Sequence, residues 1–266
     1  MALRGSLWFL ALALGGPAQA GPVLPDLAAR VATLGRQLYI EKDDDAAIYQ
    51  RAIREGGRAE MHSLLAQFTL AVLNSAPLAT AASITSRLQA AYSPWKPKPE
   101  DDRFAVTTPE VFRSSLGGRQ VVTVSWLVRL GDRGVPESTF IMQDYVEMGG
   151  QFHLAGEAAG SLFENHSEFV TPVPSQLIGE LWFVVHGTSW GSSRGSMAVA
   201  LYAFDGTRVT TRWSRPDLSN GEIKILPTGI ELDYYEYPVA GQGGGFVVEQ
   251  LDFAPSGLVT RSRVVK

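Results

Sequence analysis

The sequence predicts an α+β protein. A region of short helices stands at the N-terminal end, and a large antiparallel β-meander follows as a sandwich, a barrel or a partial propeller. Three observations carry that expectation. Apolar residues recur at helical spacing from 24 to 92. A proline-rich, charged stretch at 93–103, "SPWKPKPEDDR", interrupts the pattern. Beyond it the apolar period falls to two, and glycine-bearing turns separate the runs.

The first twenty residues have the three parts of a secretory signal peptide. Arg4 gives a positive start, residues 7–14 form an apolar run, and Ala18-Gln19-Ala20 makes a small-x-small cleavage site before Gly21. The run is too short to span a bilayer, and no later run is longer and apolar enough to do so. The mature chain is therefore expected to have no membrane span and to be secreted or periplasmic.

Residues 21–92 form the expected helical region. Leu27, Val31, Leu34 and Leu38 share one stripe, entered through Pro25 and Asp26. Asp43-Asp44-Asp45 suits the start of a second helix, with Gly56-Gly57 as its stop. Met61, Leu64, Leu65, Phe68 and Val72 mark a third helix that ends before Pro77, and Ile84, Leu88 and Tyr92 mark a fourth. Residues 93–103 read as a stiff, solvated linker. On that reading residues 104–266 are a β-domain able to fold alone.

Within 104–266 the alternation is plain in three places. Val209, Thr211 and Trp213 alternate with Arg208, Thr210 and Arg212. Ile230, Leu232 and Tyr234 alternate with Glu231, Asp233 and Tyr235, and Val247, Glu249, Leu251 and Phe253 with Val248, Gln250 and Asp252. Tight turns are expected at Gly117-Gly118, Gly149-Gly150, Asp205-Gly206, Pro227-Thr228-Gly229 and Pro255-Ser256-Gly257. "LPTGIEL" and "APSGLVT" resemble each other and hint at a repeated hairpin. "LYAFDGTRVTTRW", residues 201–213, is similar to a blade motif of pyrroloquinoline-quinone-type propellers. It occurs once, where a propeller needs at least four blades, so no family follows from it.

Several chemistries are tested by the residues present. The chain has no cysteine, which removes disulfides, thiol nucleophiles, thiolate metal sites and a lipoprotein anchor. Its formal charge is −4, and loss of Arg4 with the leader takes it to −5. No basic cluster stands out, so neither nucleic acid nor an anionic membrane surface is an expected partner.

Gly187-Thr188-Ser189-Trp190-Gly191 fits the G-x-S-x-G pattern of a serine-hydrolase nucleophile elbow. An elbow needs strand, sharp turn and helix, and its histidine follows in the chain. The histidines stand at 62, 153, 166 and 186, so none follows Ser189, and "MAVALYAF", residues 197–204, looks like a strand after loop-like residues 192–196. The expectation is a Gly/Ser-rich loop between antiparallel strands, with no catalytic residue assigned.

His153, Glu164 and His166 offer metal-ligand types without a recognised metal spacing, and Asp43-Asp44-Asp45 lacks the alternation of a calcium loop. Gly241-Gln242-Gly243-Gly244-Gly245 leads into "FVVEQLDF", a strand rather than the helix of a phosphate loop. No metal and no cofactor is expected. Asn165-His166-Ser167 is a glycosylation sequon.

One face is singled out as a candidate ligand surface. Strand alternation places Glu231, Asp233, Tyr235 and Tyr237 on one side of "GIELDYYEYP", with Ile230, Leu232 and Tyr234 toward the core. Tyrosine rings beside carboxylates suit a sugar or peptide ligand. The sequence is thus read as an exported, non-catalytic binding or envelope-associated protein whose partner is an extracellular or envelope polymer or another protein. The alternatives are a secreted hydrolase and a structural component that docks through its helices.

Overall fold

In the computed structural model, residues 24–38, 47–93, 105–106, 109–129, 138–160, 168–173, 179–190, 195–237, 244–254 and 257–265 are described. The leader, most of the linker, Asp43-Asp44-Asp45, the Glu164 to His166 segment and most of the 241–245 glycine run lie outside them.

Three helices come first: α1 (Leu24–Leu38), α2 (Ala47–Ser75) and α3 (Ala81–Tyr92). Two antiparallel sheets follow. The first contains β1 (Ala105–Val106), β2 (Glu110–Leu116), β3 (Arg119–Arg129), β4 (Ser138–Met148) and β5 (Gln151–Gly160), in the order β1-β3-β4-β5 with β2 also on β3. The second is a plain meander: β6 (Glu168–Val173), β7 (Leu181–Trp190), β8 (Gly195–Phe204), β9 (Val209–Leu226), β10 (Gly229–Glu236), β11 (Gly245–Ala254) and β12 (Gly257–Val265), each strand beside the next. The α+β class and the antiparallel meander are as the sequence predicts.

Among the described residues the helices number three, where the sequence suggests four, because α2 runs straight through Gly56-Gly57. Each glycine costs a helix interior roughly 1 kcal/mol, too little to stop a helix whose next turns are anchored. Met61, Leu64, Leu65, Phe68 and Val72, the stripe expected of a separate helix, are all buried. Neither glycine has a positive φ, the left-handed backbone a glycine stop requires. The end of α2 and the start of α3 follow the local rules: Pro77 lies in the turn, and Thr80 caps α3 by accepting from the Ser83 amide at 3.2 Å.

The protein is layered. One buried cluster joins the helices to one face of the first sheet, with Leu27, Leu64, Phe68 and Leu88 packed against Val122, Val124, Trp126, Val128 and Tyr145. The opposite face of that sheet meets the second sheet through Val121, Phe140, Met142 and Val146 on one side and Val170, Phe183, Val185 and Phe204 on the other. The helices and the first sheet therefore share one core across the 93–103 boundary. Asn74 adds a specific clamp: its amide accepts from the Phe152 N–H at 2.7 Å and donates to the Phe152 carbonyl at 3.3 Å, at the free edge of β5.

The third core lies on the far face of the second sheet. Trp182, Val184, Val199 and Leu201 from β7 and β8 are buried together with Ile230, Leu232, Val247 and Leu251 from β10 and β11. Trp182 stacks on Phe253 with ring centroids 4.8 Å apart. Strands β7 and β11 have three strands between them in the sheet, so this contact requires the sheet to curl over its own face. It curls without closing: β6 and β12 remain the two ends, and the structure is not a closed barrel.

Strand β9 makes the curl. Its register shifts against β8 between Leu201 and Tyr202 and between Met197 and Val199, and against β10 between Asp233 and Tyr235. Each shift leaves one extra residue on β9, which bends the strand and raises its twist. The first shift also corrects the sequence reading. Val209 and Trp213 share an alternation frame, yet Val209 packs between the sheets and Trp213 against the third core. Pro216 sits beside the second shift, where a missing N–H is tolerated. The two-residue turn Pro227-Thr228 then returns the chain into β10, pairing Leu226 with Gly229.

Candidate functional site

The face singled out in β10 is divided as the alternation requires. Ile230, Leu232 and Tyr234 are buried, while Glu231, Asp233 and Tyr235 are partly exposed and Tyr237 is exposed. The ring of Tyr235 meets that of Tyr237 at 4.9 Å and that of Phe246 at 5.2 Å, each at 73°. Phe246 is 63% exposed, a large apolar side chain left in water next to two tyrosines. The rings meet edge to face, so they form a ridged aromatic surface with walls rather than a flat platform.

The two carboxylates of this face do not stand free. Lys224 Nζ donates to Asp233 at 2.7 Å and to Glu231 at 2.9 Å. Those two carboxylates hold its ammonium above its usual value, Asp233 contributing most. Glu231 and Asp233 thus share a counter-ion on one strand, unlike the opposed carboxylates of a glycosidase. Lys224 was within reach of sequence reasoning: a two-residue turn at 227–228 pairs 226 with 229 and therefore 224 with 231. Phe246 was not, because the length of the β10–β11 connection does not set its register by rule. The structure pairs it with Tyr235.

A second polar cluster lies on the concave side of the same sheet. Glu249 is buried, and its Oε2 takes hydrogen bonds from Arg215 and, at 3.0 Å, from the Tyr234 hydroxyl. Arg215 also reaches Glu236 at 3.4 Å and lies over the Tyr234 ring at 4.7 Å. The cluster joins β9, β10 and β11 and neutralises the charge that the curl encloses. The attraction within such a half-buried ion pair is largely offset by the desolvation of its charges, so it adds little net stability.

The region around the G-x-S-x-G match is a hairpin. Strand β7 continues through Ser189 to Trp190, and the next element is strand β8, with Ser189 paired to Ser196. The elbow's strand-turn-helix geometry is absent. His186 and Thr188 do line a cleft of about 490 Å³ on the concave side, together with Met197 of β8 and Asn220 to Ile223 of β9. Burial holds the His186 imidazole below its usual value, which favours the neutral ring.

Two further groups sit away from that sheet. His62 of α2 and Glu157 of β5 are 2.7 Å apart, and Gln143 donates to Glu157 at 2.7 Å and to the His62 carbonyl at 3.1 Å. Burial alone would raise Glu157, but the hydrogen bonds from His62 and Gln143 outweigh it and leave its carboxyl below the usual value. Asp144, on the opposite face of β4, is completely buried between the sheets. The Thr123 hydroxyl donates to its Oδ1 at 2.5 Å, and its Oδ2 has no hydrogen-bond partner. Burial pushes its carboxyl up to about 7, the Thr123 bond pulling the other way.

No group of three or more metal-ligating side chains comes together among the described residues. His153, one of the candidate ligands, is exposed on β5. Among the described residues no helix is long and apolar enough to cross a membrane. No family model matches the chain, and neither does any curated protein or solved structure.

Proposed function

We propose that this chain is an exported, non-catalytic binding protein of the extracellular space or the cell envelope, and that the outer face of β10 and β11 is its contact surface. The observation that carries the reading is the exposed aromatic ridge of Tyr235, Tyr237 and Phe246. Exposed aromatics with polar neighbours combine apolar contact along the ridge with hydrogen bonding, the pairing that glycans and extended peptides use. The leader-like segment at 1–20 supports export. The hydrolase alternative gains no support from Ser189, which lies in a strand pair, or from Glu231 and Asp233, which share Lys224. Docking through the helices gains little: among the described residues the exposed large apolar side chain of that region is Leu78, in the turn between α2 and α3.

The test is the double change Tyr235→Ala with Tyr237→Ala, assayed for binding to a panel of glycans, envelope polymers and extended peptides. Loss of at least tenfold in affinity, ~1.4 kcal/mol, is expected for the panel member that the wild type binds. Equal binding by a folded double variant would remove this face from the function.

A further inference from the structure

We infer that the concave cleft at the bulged middle of β9 is a binding site for an uncharged small molecule with an aromatic or alicyclic body and one hydrogen-bonding group. The cleft is on the sheet face opposite the aromatic ridge, so the inference stands independently of the contact surface proposed above.

Its size is right: about 490 Å³ lies inside the roughly 300–1,000 Å³ typical of small-molecule sites. Its walls are also built for the purpose. Among the described residues the only non-glycine positions with positive φ are Asp217 (63°) and Asn220 (48°), and both belong to the β9 bulges beside the cleft. Each ties the bent strand to the start of β8: Asp217 accepts from the Ser196 hydroxyl at 2.7 Å, and Asn220 Oδ1 accepts from the Gly195 N–H at 3.2 Å. Left-handed backbone held in place by a second strand is a feature that clusters at ligand sites. Gly221 lets Met197 and Leu218 close directly on the β9 backbone at the cleft. A Cβ there would stand 2.8 Å from Met197 Cε and 3.0 Å from Leu218 Cβ.

The lining sets the chemistry. Along β7 the concave row begins with Trp182 and Val184, both buried in the core, and continues with His186 and Thr188 at the cleft. Met197, the cross-strand neighbour of Thr188, and Ile223 of β9 supply the apolar surface. The described residues that line the cleft include no lysine or arginine, and the carboxylate residue among them, Glu222, pairs with Asp233 and so belongs to the outer face of the sheet. Among the described lining residues an anion would meet no cation. A cation carried deep into the cleft would meet a neutral imidazole and lose its hydration uncompensated. An apolar body with a hydroxyl or amide satisfies the lining, since neutral imidazole and threonine each offer one donor and acceptor capacity.

The experiment is an amide-resolved NMR titration of the full chain with 2-naphthol, with 2-naphthoate and 2-naphthylmethylammonium as charged isosteres. Saturable shifts at 186–188, 195–197 and 220–223 are expected, with 2-naphthol bound at least tenfold more tightly than either charged probe. His186→Leu should lower that affinity at least tenfold while the protein keeps its melting temperature. Thr188→Val, a near-isosteric change that removes the hydroxyl, is the parallel test should His186→Leu fail to fold. Absence of saturable binding, shifts centred on the outer face of β10 and β11, equal affinity for a charged probe, or a folded variant that binds like wild type would each overturn the inference.

Discussion

Asp144 makes the pH dependence of stability calculable. Its carboxyl is wholly buried, has Thr123 as its hydrogen-bond donor, and is raised from 3.8 to about 7 by burial. Between those values the folded chain holds a proton that the unfolded chain has released. The folded state's advantage is therefore complete below about pH 4 and is lost as pH rises through 7. At 1.36 kcal/mol per pH unit of displacement, the whole change is about 4 kcal/mol, of which roughly 3 kcal/mol falls between pH 5 and pH 8. Asp144→Asn keeps the shape and cannot ionise. Urea unfolding of both proteins at pH 5, 6, 7 and 8 isolates the group, because every other titration cancels in the difference. The stability of wild type relative to Asp144→Asn should fall by roughly 3 kcal/mol across that range, with the variant the more stable at pH 8. A difference that stays flat within about 0.5 kcal/mol, or that grows with pH, would refute the reasoning and place water or a counter-charge at the unpartnered Oδ2.

Asn74→Ala removes both hydrogen bonds to the Phe152 backbone and should cost about 1–2 kcal/mol by denaturant unfolding; an unchanged midpoint would mean that this clamp contributes nothing to holding α2 on the sheet. A chain starting at Phe104 uncovers Val122, Val124, Trp126 and Val128, so it should be insoluble or bind a hydrophobic dye, against the independent folding that the linker's composition predicts. A cooperative transition from a soluble fragment would restore that expectation. N-terminal sequencing of protein recovered outside the cytoplasm should begin at Gly21, and a retained full-length chain would remove export from the proposal.

By itself the sequence determined what depends on neighbours along the chain. Change of period at 93–103 separates helices from strands, because periods of 3.6 and 2 follow from backbone geometry alone. The Asp205-Gly206 turn is local chemistry too: Asp205 Oδ1 accepts from Thr207 N at 2.9 Å and Arg208 N at 3.0 Å, with Gly206 at φ 98°. The buried face of β10 follows from strict alternation. Tertiary structure decided the rest. Whether Gly56-Gly57 ends a helix was settled by the anchoring of Met61 to Val72 on the first sheet, which outweighs a small local propensity. Which core Val209 and Trp213 enter was settled by bulges, and a bulge is a mismatch between two strands that neither strand's own sequence displays. Thr188 and Met197 meet through the β7–β8 ladder, whereas Ile223 joins them at the cleft from beyond two of the β9 mismatches. That third strand's contribution depends on a register that only the folded sheet possesses.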